Sequence, residues 1–157
     1  MMPITSHFRI QRLAAHDVAL METMLTMFGE AFDEVETYTG NRPGAAYLKR
    51  LVGGDQFIAL AALKGRAVVG GLAAYELPKF EQERSEIYIY DLAVATAHRR
   101  QGIATALIEE LKRIACKRGA YIIFVQADRA DAHAISLYSK LGVGSEVLHF
   151  DISPIRR

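Results

Sequence analysis

The residues of this chain that could do chemistry gather most densely in Asp91-Leu92-Ala93-Val94-Ala95-Thr96-Ala97-His98-Arg99-Arg100-Gln101-Gly102-Ile103-Ala104-Thr105-Ala106-Leu107. An apolar run ends, a short turn carries two arginines and a glycine, and a helical pattern starts at once. That arrangement suits an anion. The first amides of a helix have no internal acceptors, and the macrodipole adds positive potential there. Gly102 lets backbone come close to a ligand, Ala104 and Thr105 keep the first turn uncrowded, and Arg99 and Arg100 offer donors matched to phosphate oxygens. The plain alternative is a solvated basic turn capping a helix. The turn is not a Walker loop, since no Gly-Lys-Ser/Thr follows, and it lacks the three-glycine spacing of a dinucleotide fingerprint.

Asp91 interrupts an otherwise apolar run, Ile87 to Val94. A carboxylate set between tyrosines and sheet residues is expected to have a raised pKa, which helps a base. It could instead only orient an amide or an arginine. No His/Cys cluster has metal-ligand spacing, so no metal is expected. Cys116 lies mid-helix beside basic residues with no histidine paired to it in sequence, and it is not read as a nucleophile.

The elements that must position these residues follow from periodicity. Phe8 to Leu13 alternates as a first strand, and Val18, Met21, Met24, Leu25, Phe28 and Phe32 recur at helical steps. The methionines there read as core. Asp33 to Tyr38 is a polar stretch, and Pro43 favours the start of a short helix. Phe57 to Leu63 and Ala67 to Leu77 read as strands of a hairpin joined at Lys64-Gly65-Arg66, followed after a polar loop by a strand Glu86 to Ala95. Ile103 to Lys117 is a helix stopped by Gly119, Tyr121 to Gln126 a buried strand, and Ala132 to Leu141 a helix stopped by Gly142. Glu146 to Ile152 is expected to close the chain as a strand. The order β-α-α-β-β-β-α-β-α-β predicts an α/β domain with local parallel pairing near the middle.

Composition bounds the rest. Hydrophobic residues at 51% and charged residues at 24% over 157 residues suit one domain, 1–157, that buries its own core. Lys and Arg number 19 against 18 Asp and Glu, so no basic excess points to nucleic acid. The longest apolar runs, such as Phe57 to Leu63, are too short to span a bilayer. Cys116 is the only cysteine, which excludes an internal disulfide and favours a reducing compartment. Met1 to His7 lacks the basic and apolar regions of a signal peptide. The expectation is a cytoplasmic protein.

Arg99-x-x-Gly102-x-Ala104 resembles the Gln/Arg-x-x-Gly-x-Gly/Ala signature of the GNAT superfamily of N-acetyltransferases. Ala134-Ile135-Ser136-Leu137-Tyr138-Ser139-Lys140-Leu141-Gly142 resembles that superfamily's second coenzyme-binding helix. Within it, Leu77 to Gln82, Arg84 to Val94, His98 to Leu107, Val125-Gln126-Ala127-Asp128 and His149-Phe150-Asp151-Ile152 are similar to the type I aminoglycoside 3-N-acetyltransferases, which acetylate gentamicin-like drugs. The similarity runs from Phe28-Gly29 to Asp151. Ala132 stands where those enzymes carry an acidic residue beside Asp131, His133 where they carry proline, and the tail differs, so the drug spectrum could differ too.

The resemblance implies a central mixed, mostly antiparallel sheet with a splayed parallel strand pair at its middle and about four flanking helices. It implies acetyl-coenzyme A as donor, held by Arg99, Arg100, Gln101, Gly102, Ile103, Ala104 and Thr105, with Ser136, while the pantetheine arm pairs with main chain at Leu92, Ala93 and Val94. A backbone N–H near Leu92 would stabilise the oxyanion. Asp91 is then the base that deprotonates the amine, and Tyr138 the acid that protonates the departing thiolate. The polycationic substrate would meet Glu34, Glu81, Glu83, Asp128, Asp131 and Asp151, with Tyr88 and Tyr90 lining the cleft; any one of these carboxylates could equally be plain solvated surface. A homodimer is compatible with the family, though no residue here marks an interface. Rival readings are a polyamine or protein N-acetyltransferase on the same fold, and a non-catalytic acyl-coenzyme A or drug-binding protein.

Overall fold

Apolar residues at three- and four-residue steps make α1 (Val18–Ala31) bury Met21, Met24, Met27 and Phe28 on one side. Those side chains cover one face of a five-stranded sheet. Its strands β1 (Arg9–Arg12), β2 (Phe57–Lys64), β3 (Ala67–Pro78), β4 (Ser85–Val94) and β5 (Ala120–Val125) lie in chain order. Neighbours are antiparallel from β1 to β4, and β4 and β5 are parallel. The computed structural model describes residues 7–156, so Met1 to Ser6 of the N-terminal targeting expectation lie outside the described residues. Two compact units, Met1–Gln126 and Ala127–Arg157, make up the chain.

In the first unit, α1 and α3 (Ala45–Gly53) pack over one core containing Leu13, Phe57, Ala59, Ala61, Ala73 and Ala93. The opposite face is covered by α4 (Ile103–Arg118), which buries Ile103, Leu107, Leu111 and Ile114 and provides the crossover that a parallel β4–β5 pair requires. Full burial of each such side chain is worth about 1.5–3 kcal/mol. Between α1 and α3 in chain order comes α2 (Val35–Thr39), where the sequence shows only a polar stretch. Gly29 of α1 makes that short helix fit. A Cβ there would stand 3.1 Å from Val35 Cα and 3.3 Å from Tyr38 Cβ, so only a residue without a side chain lets α2 lie this close.

One irregularity decides where Asp91 points. Ala74 pairs with Ile89 but Ala73 pairs with Asp91, so Tyr90 is an extra residue bulged out of β4. A one-residue offset moves every later side chain to the other face. Ile87 and Ile89 are buried outside the α1–α3 core, whereas Ala93, two residues beyond Asp91, belongs to it. Past the bulge, β4 also leaves β5: their last partners are Ile89 and Val125, and Asp91–Val94 run on with β3 alone.

The second unit holds α5 (Ala132–Leu141), with the bounds expected. The expected strand Glu146 to Ile152 is not formed: that stretch carries no regular structure, and Val147, Leu148, Phe150 and Ile152 are exposed. β-propensity is a preference for a paired, half-buried surface, and no ladder among the described residues takes this segment. β5 is therefore the outermost strand of the described sheet. With α2 added, five α-helices stand where about four were expected. No helix among the described residues is long and apolar enough to cross a membrane.

Candidate active site

The bulge delivers Asp91 to the α1–α2 side of the sheet, where Tyr38 meets it. The Tyr38 hydroxyl donates to Asp91 Oδ1 at 2.9 Å. Tyr38 is held by its ring, which lies 6.0 Å from Phe28 and 5.7 Å from Phe32. Burial pushes the Asp91 carboxyl above the usual carboxylate range; the Tyr38 hydrogen bond pulls it back and the charge of Glu34 raises it further. Burial and the same bond push Tyr38 far above the ordinary phenol range, so its hydroxyl stays a donor. The raised carboxyl is the one expected from a carboxylate among tyrosines.

Asp91 lines a cavity of ≈ 150 Å³ together with Met21, Met24, Tyr47, Phe57, Tyr75 and Tyr90. A larger hollow of ≈ 340 Å³ beside it shares Leu51, Phe57 and Tyr75 but holds no carboxylate of the site; its size is not matched by chemistry. The tyrosines form a connected set. Tyr90 meets Tyr75 edge-on at 5.9 Å and Tyr88 at 5.6 Å, and Tyr88 stacks on Phe124 at 4.7 Å. The Tyr88 hydroxyl donates to Gln126 Oε1 at 3.0 Å. Tyr90, the bulged residue, is 63% exposed. One carboxylate with aromatic faces around it suits an ammonium, through charge and cation–π attraction together.

The loop beyond β4 has the backbone shape of an anion site. Gly102 is the N-cap of α4 at φ 79°, and Arg100 is also left-handed at φ 62°. A Cβ added at Gly102 would meet nothing within 4 Å, so that flank is open. The first backbone bond of α4 runs from Ala106 N–H to Gly102 O at 3.0 Å, and the cap has no side-chain oxygen, so the earlier amides of the turn lack intrahelical acceptors. Arg99 and Arg100 are exposed, and Arg99 Nε donates to Val94 O at 3.4 Å, tying the loop to the end of β4. Lys64 Nζ donates to Gln101 Oε1. The Ile103 side chain is 1% exposed and belongs to the core, which leaves only its backbone for a ligand. Leu92, Ala93 and Val94 sit where β4 has parted from β5, the main-chain opening a pantetheine arm would need.

The first unit thus brings together Asp91, Glu34, Tyr88 and Tyr90, with the anion loop at the end of the same strand. Glu81 and Glu83 lie in the loop before β4, about 20 Å of strand upstream of Asp91, and Glu81 pairs with Lys79 and Arg84, each at 3.7 Å. In the second unit, Asp131 caps α5 by accepting from Ala134 N–H at 3.0 Å, and Asp128 closes a turn by accepting from Ala130 N–H at 2.9 Å. Asp151 is exposed and pairs with His149 at 2.9 Å. Ser136 is exposed on α5. Tyr138 is partly buried, and burial, with the Asp131 charge adding, pushes its hydroxyl up to about 12. Tyr38, Tyr47 and Tyr75 were not singled out by sequence; the Val35–Tyr38 step of one helical turn was the available signal for the first. No group of three or more potential metal ligands occurs among the described residues.

This mixed sheet, whose parallel strands part beside a glycine-capped helix, is shared with proteins of known class. The chain belongs to the acetyltransferase (GNAT) family, whose profile it matches over residues 20–143. It is 66% identical to an aminoglycoside acetyltransferase from an uncultured soil metagenomic sample, with a TM-score of 0.93 over 96% of this chain and 99% of that one. A second soil-metagenome aminoglycoside acetyltransferase, solved with sisomicin, is 31% identical with a TM-score of 0.86 over 93% of this chain and 95% of that one. A curated relative, rat N-acetyltransferase 8B, is 31% identical over 53% of this chain, a stretch that spans 36% of the rat protein.

Proposed function

We propose that this acetyltransferase is an aminoglycoside 3-N-acetyltransferase that modifies the 2-deoxystreptamine ring of gentamicin-like antibiotics and so confers resistance. The observation that carries it is Asp91: a partly buried carboxylate with a raised pKa, one oxygen held by Tyr38, in the wall of a tyrosine-lined cavity. An aminoglycoside amine is largely protonated near neutral pH and has no lone pair until a base takes its proton. Asp91 meets that need, and the neighbouring rings and Glu34 favour the cation before transfer. The 66% identity to an aminoglycoside acetyltransferase supports the substrate class; the choice of the 3-amine rests on the motif resemblance.

Acetyl-coenzyme A supplies the acetyl thioester when bound. The open flank at Gly102, the free first-turn amides of α4 and the two arginines fit a pyrophosphate. The main chain of Leu92, Ala93 and Val94 offers the hydrogen-bonding edge for the arm. Tyr138, whose hydroxyl is protonated at neutral pH, is assigned the return of a proton to the departing thiolate. Glu34, Tyr88 and Tyr90 receive the substrate; Glu81, Glu83, Asp128, Asp131 and Asp151 remain candidate contacts to its other amines.

The test is thiol release from acetyl-coenzyme A with gentamicin, spermidine and a lysine peptide in parallel. Fast turnover with gentamicin alone is the expected result. Preference for spermidine or the peptide would overturn the drug assignment, and silence with all three despite coenzyme binding would favour a non-catalytic binding protein.

A further inference from the structure

We propose that Tyr38 is a positioning residue for the transfer: by donating to Asp91 Oδ1 at 2.9 Å it fixes the carboxylate so that Oδ2 takes the proton of the substrate ammonium. This rests on Asp91 being the base. Among the described residues no other side-chain hydrogen bond reaches Asp91, so without Tyr38 the carboxylate is free to rotate about its last bond. Tyr38 itself cannot wander. Its ring packs against both Phe28 and Phe32, and its Cβ lies against Gly29.

The proton balance is simple. One proton passes from the ammonium to Asp91 Oδ2, leaving a neutral amine, and Tyr38 keeps its own because its hydroxyl is held far above the ordinary phenol range. The groups facing Asp91 are few. Glu34, just before α2, opposes its ionisation, while the Tyr38 hydroxyl favours it. Tyr75 on β3 and Tyr88 and Tyr90 on β4 stand around it, with Tyr47 on α3 beyond Tyr75. From α1 come Met21, Met24, Leu25 and Phe28, which carry no charge. Tyr38 is the one donor in this set that stabilises the carboxylate.

Tyr38→Phe keeps the ring and removes the hydroxyl. The acid limb of kcat/KM for gentamicin should move up by about one pH unit, and the plateau kcat should fall several-fold with KM for acetyl-coenzyme A unchanged. An acid limb that stays in place would overturn the proposal, since a tyrosine that only packs would leave it there. A carboxyl-carbon NMR titration of Asp91 in the same variant reads the shift without turnover: an upward move supports the role and an unmoved titration refutes it. Asp91→Asn, measured alongside, separates the two claims. If it keeps the wild-type rate, the base assignment falls and Tyr38's role with it. If it abolishes turnover while Tyr38→Phe leaves the acid limb alone, only Tyr38's role is lost.

Discussion

Asp91 is a carboxylate placed at a disadvantage. Burial raises its pKa and Glu34 raises it further, with one hydroxyl to offset them. A raised folded-state pKa means that ionisation costs stability, and the cost appears as pH climbs through that pKa. Under the proposed role activity runs the other way, because a base works only once it has lost its proton. Asp91→Asn should therefore lower kcat by about 10²–10⁴-fold. Its thermal midpoint at pH 7 should equal or exceed that of wild type, since a partly buried charge is gone. Loss of both activity and melting temperature would mark Asp91 as structural. Asp91 was legible in the sequence because a charge in an apolar run is conspicuous. Tyr38 was not, because it sits in a polar stretch and its role depends on a partner 53 residues away.

At the scale of elements, the strand and helix bounds followed from periodicity, apart from α2 and the expected strand Glu146 to Ile152. The β4 bulge is the element that makes the site, and periodicity does not reveal it. Read without a bulge, Asp91 would share a face with Ile87 and Ile89; only the pairing with β3 shows that the faces exchange at Tyr90. Gly29 is the corresponding device on the helical side. Gly29→Ala should gain about 1 kcal/mol of helix propensity and spend a similar amount moving α2 by a few tenths of an ångström. Net stability should change by less than about 1 kcal/mol, while kcat falls several-fold as Tyr38 shifts from Asp91. Denaturant melts and steady-state rates check this, and an unchanged kcat would contradict it. Gly102→Asp tests the loop. Its φ of 79° strains any side chain, and a carboxylate there opposes the pyrophosphate. Acetyl-coenzyme A affinity, read by calorimetry, should fall about tenfold or more; an unchanged affinity would count against an anion site.

For the whole molecule, a net charge of +1 says little about a polycationic substrate, because recognition depends on where the carboxylates stand. The first unit gathers Glu34 and Asp91 beside Tyr38, Tyr47, Tyr75, Tyr88 and Tyr90, whereas Glu81 is already paired with Lys79 and Arg84. The short motifs at Arg99 to Ala104 and Leu137 to Gly142 made the acetyltransferase family legible, since phosphate and thioester chemistry need few residues at fixed spacing. The acceptor amine is set by the three-dimensional placement of dispersed side chains, which spacing does not record. The most direct measurement is therefore the position of the acetyl group on gentamicin after reaction with this protein and acetyl-coenzyme A, read by mass spectrometry and two-dimensional NMR. We expect one acetyl group, on the 3-amine of the 2-deoxystreptamine ring. A single acetyl on any other amine, or no product while spermidine reacts, would contradict the assignment.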